Sequence, residues 1–287
     1  MPINIPITAD SIFIYGYFLC VALMATVLPF YLYARDKGPS LRPHQKGLVR
    51  TEALNAFDLL GLLIFFCIYA VFLLDYLSPA PLDSNGKPQE ISITPWILAV
   101  GIVVQLVPAM LVAVMLASRG ASMSQFLGLK WKHARYLWVI TPAGVIIAYM
   151  FLFGIEYYGY SGWLEQYFGN DAKLQETVKI YQETNAVTIR IMIALSAILI
   201  APIAEEIVFR GYIYTTIKRF SGRLFATVLS SLLFGVVHFN ISALIPLIFL
   251  ALILALAYEL SGSIWAPISI HALFNASQLL VQEINFH

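Results

Sequence analysis

The chain has 287 residues, of which 60% are hydrophobic and only 11% charged, with a formal net charge of +1. Soluble globular proteins carry about 25% charged residues, so this composition excludes a surface that meets water on every side. It also excludes the basic face expected of a nucleic-acid binder and leaves the lipid bilayer as the expected partner.

Crossing the hydrocarbon layer takes roughly 20 mainly apolar residues, and eight runs in chain order are candidates. The first, from about Ser11 to Ala34, has no basic residue before it and Arg35 and Lys37 after it. A cleaved secretory signal has the opposite arrangement, so this run reads as a retained helix. The second runs from Asn55 to Leu77, and turn chemistry follows at Asp83 to Pro88. The third runs from Pro95 to Ser118 and the fourth from Tyr136 to Tyr158. Gly159 to Asn185 is rich in Tyr, Glu and Gln, with Trp163 and Tyr167 as interfacial anchors. It reads equally as an amphipathic surface helix or as a plain polar connector. The fifth span begins near Thr188 and passes through Pro202. The sixth covers Leu224 to Phe239, the seventh Ile241 to Leu260 and the eighth Ile264 to Val281. Cys20 and Cys67 lie inside apolar runs and indicate no disulfide framework. The expected fold is all-α and polytopic, with about eight transmembrane helices. Residues 1–187 are expected to form an N-terminal four-helix region with its outer connector, and residues 188–287 a second four-helix region.

Basic residues set an expected orientation, because cytoplasmic loops are enriched in Lys and Arg. Arg35, Lys37, Arg42, Lys46 and Arg50 follow span one, and Arg119, Lys130, Lys132 and Arg135 follow span three. Lys218, Arg219 and Arg223 follow span five, whereas the intervening loops hold Lys87, Lys173, Lys179 and Arg190. This alternation supports an even number of spans in the cell membrane, with both termini non-cytoplasmic.

Charges inside a span cost roughly 2.5–3.5 kcal/mol each on insertion scales, which makes them candidates for function. The last third of the chain concentrates them: Glu205, Glu206 and Arg210 in span five, His238 at the end of span six, His271 and Asn275 in span eight. Residues at i and i+4 share a helix face. Glu206 and Arg210 should therefore pair, while Glu205, turned by about 100°, keeps its carboxylate uncommitted. His271 and Asn275 also share a face, as do Phe234 and His238. If helix five continues to about Arg219, Glu205 and His238 lie at similar depth, roughly 20 and 22 Å from the basic end. His271 comes out shallower and needs a tilted or later-starting helix. A carboxylate beside an imidazole can activate water, and a second imidazole with an amide can stabilise the resulting oxyanion. No serine or cysteine stands beside these groups as a nucleophile.

Glu205-Glu206-Ile207-Val208-Phe209-Arg210 matches an EExxxR pattern, Phe234 to His238 an FxxxH pattern and His271 to Asn275 an HxxxN pattern. In this order on membrane helices, with Gly262 to Pro267 before the last, they resemble the CAAX protease and bacteriocin-processing family of intramembrane endopeptidases. The resemblance covers about Leu199 to Ala276. It implies peptide-bond hydrolysis in which Glu205 and His238 activate water and His271 and Asn275 form an oxyanion hole. It also implies a membrane-associated protein or peptide substrate, with prenylated chains among the candidates because eukaryotic members trim them.

Bland readings stand beside these. Glu206 and Arg210 read as a structural ion pair, Phe234 as packing, and Asn275 could join helices, as buried amides do in membranes. Asp58 and Glu259 have no evident partner and read as interfacial. No cofactor is expected. The alternative is zinc on Glu205, His238 and His271, all common ligands, although the single-helix HExxH signature is absent. A scaffold, an immunity protein or a transporter is the other class, but a transporter would show broken helices in both halves. The site is expected to open toward the cytoplasm, with lateral access from lipid as the alternative that its depth leaves open.

Overall fold

The computed structural model describes residues 8–37, 47–79, 93–169, 180–182 and 184–286, and among these there is no strand. The turn expected at Asp83 to Pro88 lies outside the described residues, as does most of the second half of the polar connector. Every apolar run contains a helix. The first run holds α1 (Ala9–Ala25) and α2 (Val27–Lys37), offset at Thr26. Then come α3 (Phe57–Tyr76), α4 (Pro95–Ala117), the single turn α5 (Met123–Phe126), α6 (Leu137–Tyr157) and α7 (Tyr160–Phe168). The second half holds α8 (Val187–Ser221), α9 (Arg223–Val236), α10 (Ile241–Ser261) and α11 (Trp265–Phe286).

Six helical segments among the described residues are long and apolar enough to cross a membrane. Two of the eight expected spans fall short for different reasons. Helix α9 has only 14 residues. Helix α11 has 22 residues, but His271, Asn275 and Gln278 dilute its apolar character. Large apolar side chains such as Phe18, Leu63, Val114, Trp138 and Phe153 are exposed around the bundle. An apolar surface of this extent is suited to lipid rather than water.

The two halves of the chain share one core. Helix α1 packs on α9, α4 lies against α8, and α6 lies against α10 and α11. Buried Phe13, Phe65 and Leu116 from the first half belong to the same apolar cluster as Tyr212, Phe234 and Tyr258 from the second.

Two acids expected at interfaces are instead buried and paired. Asp58 accepts hydrogen bonds from Arg119 Nη1 at 2.6 Å, Tyr212 Oη at 2.9 Å and the Asn55 amide at 2.7 Å. Glu259 accepts from Lys218 Nζ at 2.7 and 2.9 Å and from Tyr214 Oη at 2.6 Å, while Lys218 also donates to the Val49 carbonyl at 3.1 Å. Apart from the local Asn55 amide, tertiary packing brings the side-chain partners of the two acids from 41 to 154 residues away, where helical spacing has no reach. Lys218, counted with the loop charges in the sequence, is therefore a core residue.

Helix α7 bears out the amphipathic reading for the first part of the connector. Leu164 is buried, Trp163 and Tyr167 are exposed, and Tyr160 Oη donates to the Ser242 carbonyl at 3.2 Å. At the other end of the bundle, the start of α11 is tucked beneath the segment after α5. The Ile264 amide donates to the Leu127 carbonyl at 2.9 Å, Ser263 Oγ to Gly128 at 2.8 Å and Trp265 Nε1 to Leu129 at 3.1 Å. A sunken start lets His271, only six residues into α11, reach the level of the α8 acids.

Candidate active site

Helix α8 spans 35 residues and is not uniformly α-helical. Its turns at Ser196–Ile200 and Ile207–Tyr214 are π-helical, and they flank the segment that carries Glu205 and Glu206. Such widened turns occur frequently at functional sites. In the first, the Ala201 amide reaches back five residues to the Ser196 carbonyl. The next residue, Pro202, has no N–H to offer. The Ala197 carbonyl thus lacks its usual helical partner, and Asn275 Nδ2 donates to it at 2.8 Å. In the second, Thr215 Oγ1 donates to the Arg210 carbonyl at 2.8 Å. Side chains take over backbone groups that lipid could not satisfy.

Glu205 and Glu206 point to different surroundings, as their angular offset requires. Glu206 is fully buried, and its Oε1 accepts from Arg210 Nη1 at 2.8 Å and lies 2.9 Å from His271 Nδ1. Arg210 also donates to the Ala251 carbonyl at 3.2 Å, and its guanidinium lies 4.6 Å from the centre of the Phe234 ring. Phe234 in turn meets His238 at 4.6 Å and His271 at 5.9 Å between ring centres. The aromatic position of the FxxxH pattern is thus the shared wall of a cation and both imidazoles.

Glu205 Oε2 stands between the two rings, 3.8 Å from His238 Nε2 and 4.0 Å from His271 Nε2. It accepts no hydrogen bond from the protein. His238 Nδ1 lies 2.6 Å from the Phe234 carbonyl. A carbonyl only accepts, so Nδ1 carries the proton and, in the neutral ring, Nε2 presents a lone pair toward Glu205. The residue after His238 is held in an uncommon backbone conformation, with Phe239 at φ 47°. For a bulky residue this is a genuine outlier, and Phe239 is fixed there by stacking on Tyr76 at 5.0 Å and by the edge of Phe13 at 5.9 Å.

The structure therefore gathers Glu205, Glu206, Arg210, His238 and His271, and places Asn275 one turn beyond His271 with one amide hydrogen engaged by Ala197. The ion pair expected between Glu206 and Arg210 is present, and His271 joins it, a link that i,i+4 spacing could not reveal. Among the described residues, no group of three or more His, Cys, Asp and Glu is placed to hold a metal ion.

A cavity of about 920 Å³ reaches Glu205 and His238. Its other walls include Tyr69 and Phe72 of α3, Gly101 and Gln105 of α4, and Ser196 of α8. Ser196 Oγ donates to Gln105 Oε1 at 3.2 Å. The one sequence signal for Gln105 is that it is a polar residue within the apolar run from Pro95 to Ser118. The cavity occupies the helix ends remote from the basic segments, not the end at which the site was expected to open.

Comparison with known proteins places this half of the chain. Residues 187–277 match the family model "Type II CAAX prenyl endopeptidase Rce1-like". The chain is 33% identical over 147 residues to a protein of Bacillus subtilis (strain 168) named "Putative membrane peptidase YdiL", covering 51% of this chain and 56% of that protein. The chain thus spans just over half the length of this relative. No solved structure matches. The resemblance read from the three motifs is borne out over the segment that carries them.

Proposed function

We propose that this chain, Rce1-like over residues 187–277, is an intramembrane endopeptidase that hydrolyses a peptide bond with water activated by Glu205. The observation that carries this reading is the uncommitted Glu205 oxygen facing His238 Nε2 at 3.8 Å. A single water at ordinary hydrogen-bond lengths of about 2.8 Å can donate one hydrogen to each acceptor, and its oxygen is then directed away from both. Glu205 takes the proton as the water oxygen attacks the carbonyl carbon. The C=O electron pair moves to oxygen as an oxyanion. Glu205 returns the proton to the amide nitrogen, the C–N bond breaks, and a carboxylic acid and an amine leave. His238, with its tautomer fixed by the Phe234 carbonyl, orients the water.

His271 and Asn275 are proposed oxyanion donors. With Nδ1–H given to Glu206, His271 offers an Nε2 donor only as the doubly protonated ring. Asn275 has its second amide hydrogen left for the same task. Substrates are membrane-associated proteins or peptides, with prenylated chains among them, and the enzyme lies in the cell membrane with both termini non-cytoplasmic. The alternatives are zinc held by Glu205, His238 and His271, or a non-catalytic scaffold, immunity protein or transporter.

Comparing the membrane proteomes of cells carrying wild-type and Glu205→Gln protein tests this. Fragments that depend on Glu205 are expected, and their absence across the proteome and in a purified peptide assay would leave the non-catalytic readings. Activity should withstand chelation, and loss with a chelator followed by rescue with zinc would establish the metal alternative.

A further inference from the structure

We infer that substrate reaches Glu205 from the membrane face opposite the basic loops, so that the bond cleaved lies near the non-cytoplasmic edge of the bilayer. The word substrate rests on the hydrolytic reading above, whereas the route of access does not.

Several helices agree on where the cavity lies. Its wall on α1 is Ala9, at the end remote from Arg35 and Lys37. On α3 it is Tyr69, Phe72 and Tyr76, at the end remote from Arg50. On α4 the lining runs from Ile97 to Pro108, in the half away from Arg119. On α8 it runs from Met192 to Phe209 and stops short of Arg219, and between α9 and α10 it is Val237 to Ile241, at the end opposite Arg223. The rule that cytoplasmic loops carry the excess of Lys and Arg then places every one of these ends on the other side.

Depth points the same way. Glu205 is 14 residues from Arg219 along α8, and His238 is 15 residues from Arg223 along α9. At about 1.5 Å per residue His238 lies about 22 Å from the basic boundary and Glu205 at most about 21 Å, since the π-helical turn shortens α8. A hydrocarbon layer about 30 Å thick leaves about 8–9 Å to the opposite edge. An extended chain rising about 3.3 Å per residue covers that distance with about three residues. The walls it would pass are mainly apolar, with Gln105, Ser196 and the Tyr69 hydroxyl as polar exceptions. They suit an extended, mostly apolar segment. Such a segment belongs to a polypeptide already on the outer side, either the outer end of a membrane anchor or an exported peptide in the outer leaflet, so that outer access selects these over the prenylated chains named above, which are held on the cytoplasmic face.

The test is thiol labelling of the full chain in a Cys20→Ala, Cys67→Ala background, using a charged, membrane-impermeant methanethiosulfonate. Gly101→Cys probes the cavity, since Gly101 lines it and a Cβ there meets nothing within 4 Å. Lys132→Cys reports the basic side and Tyr158→Cys the opposite side, both residues being exposed. Gly101→Cys and Tyr158→Cys should react in intact cells, and Lys132→Cys only in inverted vesicles. Reaction of Gly101→Cys only from the side that labels Lys132→Cys, its failure to react from either side, or exchange of the two reporters would overturn the proposal. In a second arm, an anchored reporter with its cleavable segment at the outer boundary should be cut by wild type and spared by Glu205→Gln. The same segment at the inner boundary should be spared by both. Cleavage of the inner reporter alone would overturn outer access. If neither reporter is cut, the hydrolytic reading fails while the labelling still decides the route.

Discussion

Glu206 and His271, 65 residues apart in sequence, are joined across α8 and α11 by a 2.9 Å contact between Oε1 and Nδ1. The same oxygen receives Arg210, so one buried carboxylate balances a guanidinium and orients an imidazole. Removing one member of a buried pair costs about 3–5 kcal/mol, because its partner is left charged and unpaired. Arg210→Met should therefore lower thermal stability in detergent by about that amount, and Glu206→Gln/Arg210→Met should recover much of it. Neither variant should restore turnover, because glutamine at 206 can still accept from His271 Nδ1 but lacks the negative charge that faces the ring. A double variant with wild-type turnover would confine Glu206 to a structural role.

Glu205→Gln and His238→Ala should each abolish measurable cleavage while leaving the melting temperature close to wild type. Both side chains are partly exposed to the cavity and neither ties two helices together through a direct hydrogen bond. Purified variants assayed on a peptide substrate decide this, and retained turnover in Glu205→Gln would remove the proposed base.

For Asn275 the structure predicts two separable effects. Loss of an oxyanion donor costs about 10²–10³ in rate, and leaving the Ala197 carbonyl unsatisfied costs about 1–3 kcal/mol. Pro202→Ala supplies an N–H in the turn where the carbonyl is freed. Asn275→Ala/Pro202→Ala should therefore regain stability over Asn275→Ala without regaining rate. Recovery of both together would mean that Asn275 acts by joining helices alone.

Lys218→Met should destabilise by about 3–5 kcal/mol, since among the described residues Glu259 would keep only the Tyr214 hydroxyl as a side-chain hydrogen-bond partner in the core. Lys218→Met/Glu259→Gln should be milder. Denaturation of the two variants in the same detergent gives the comparison, and equal losses would show that the pair is not coupled.

What could be read from the sequence was set by one-dimensional geometry. The pairing of Glu206 with Arg210 and the divergence of Glu205 from Glu206 follow from 100° per residue, and both are present. The apolar runs gave their helices to within a few residues, because lipid leaves the backbone few alternatives. Contacts that depend on how helices meet were not legible. The partners of Asp58 and Glu259, the link from Glu206 to His271, and the Ala197 carbonyl released by Pro202 all arise from packing between distant segments. The helix ends at which the cavity lies do not follow from the depths of Glu205 and His238, since depth alone does not say which helices stand apart.

The brevity of α9 bears on how hydrolysis is compatible with lipid at all. Its 14 residues rise only about 21 Å, so the chain turns back at His238 before crossing the hydrocarbon. Non-helical backbone at that level is tolerated only where protein shields it or water reaches it. With α1 and α10 flanking it and the cavity at its tip, the stunted helix leaves unfilled room beside the imidazole, as the proposed hydrolysis inside lipid requires, while exposed apolar side chains cover the bundle's outer flank.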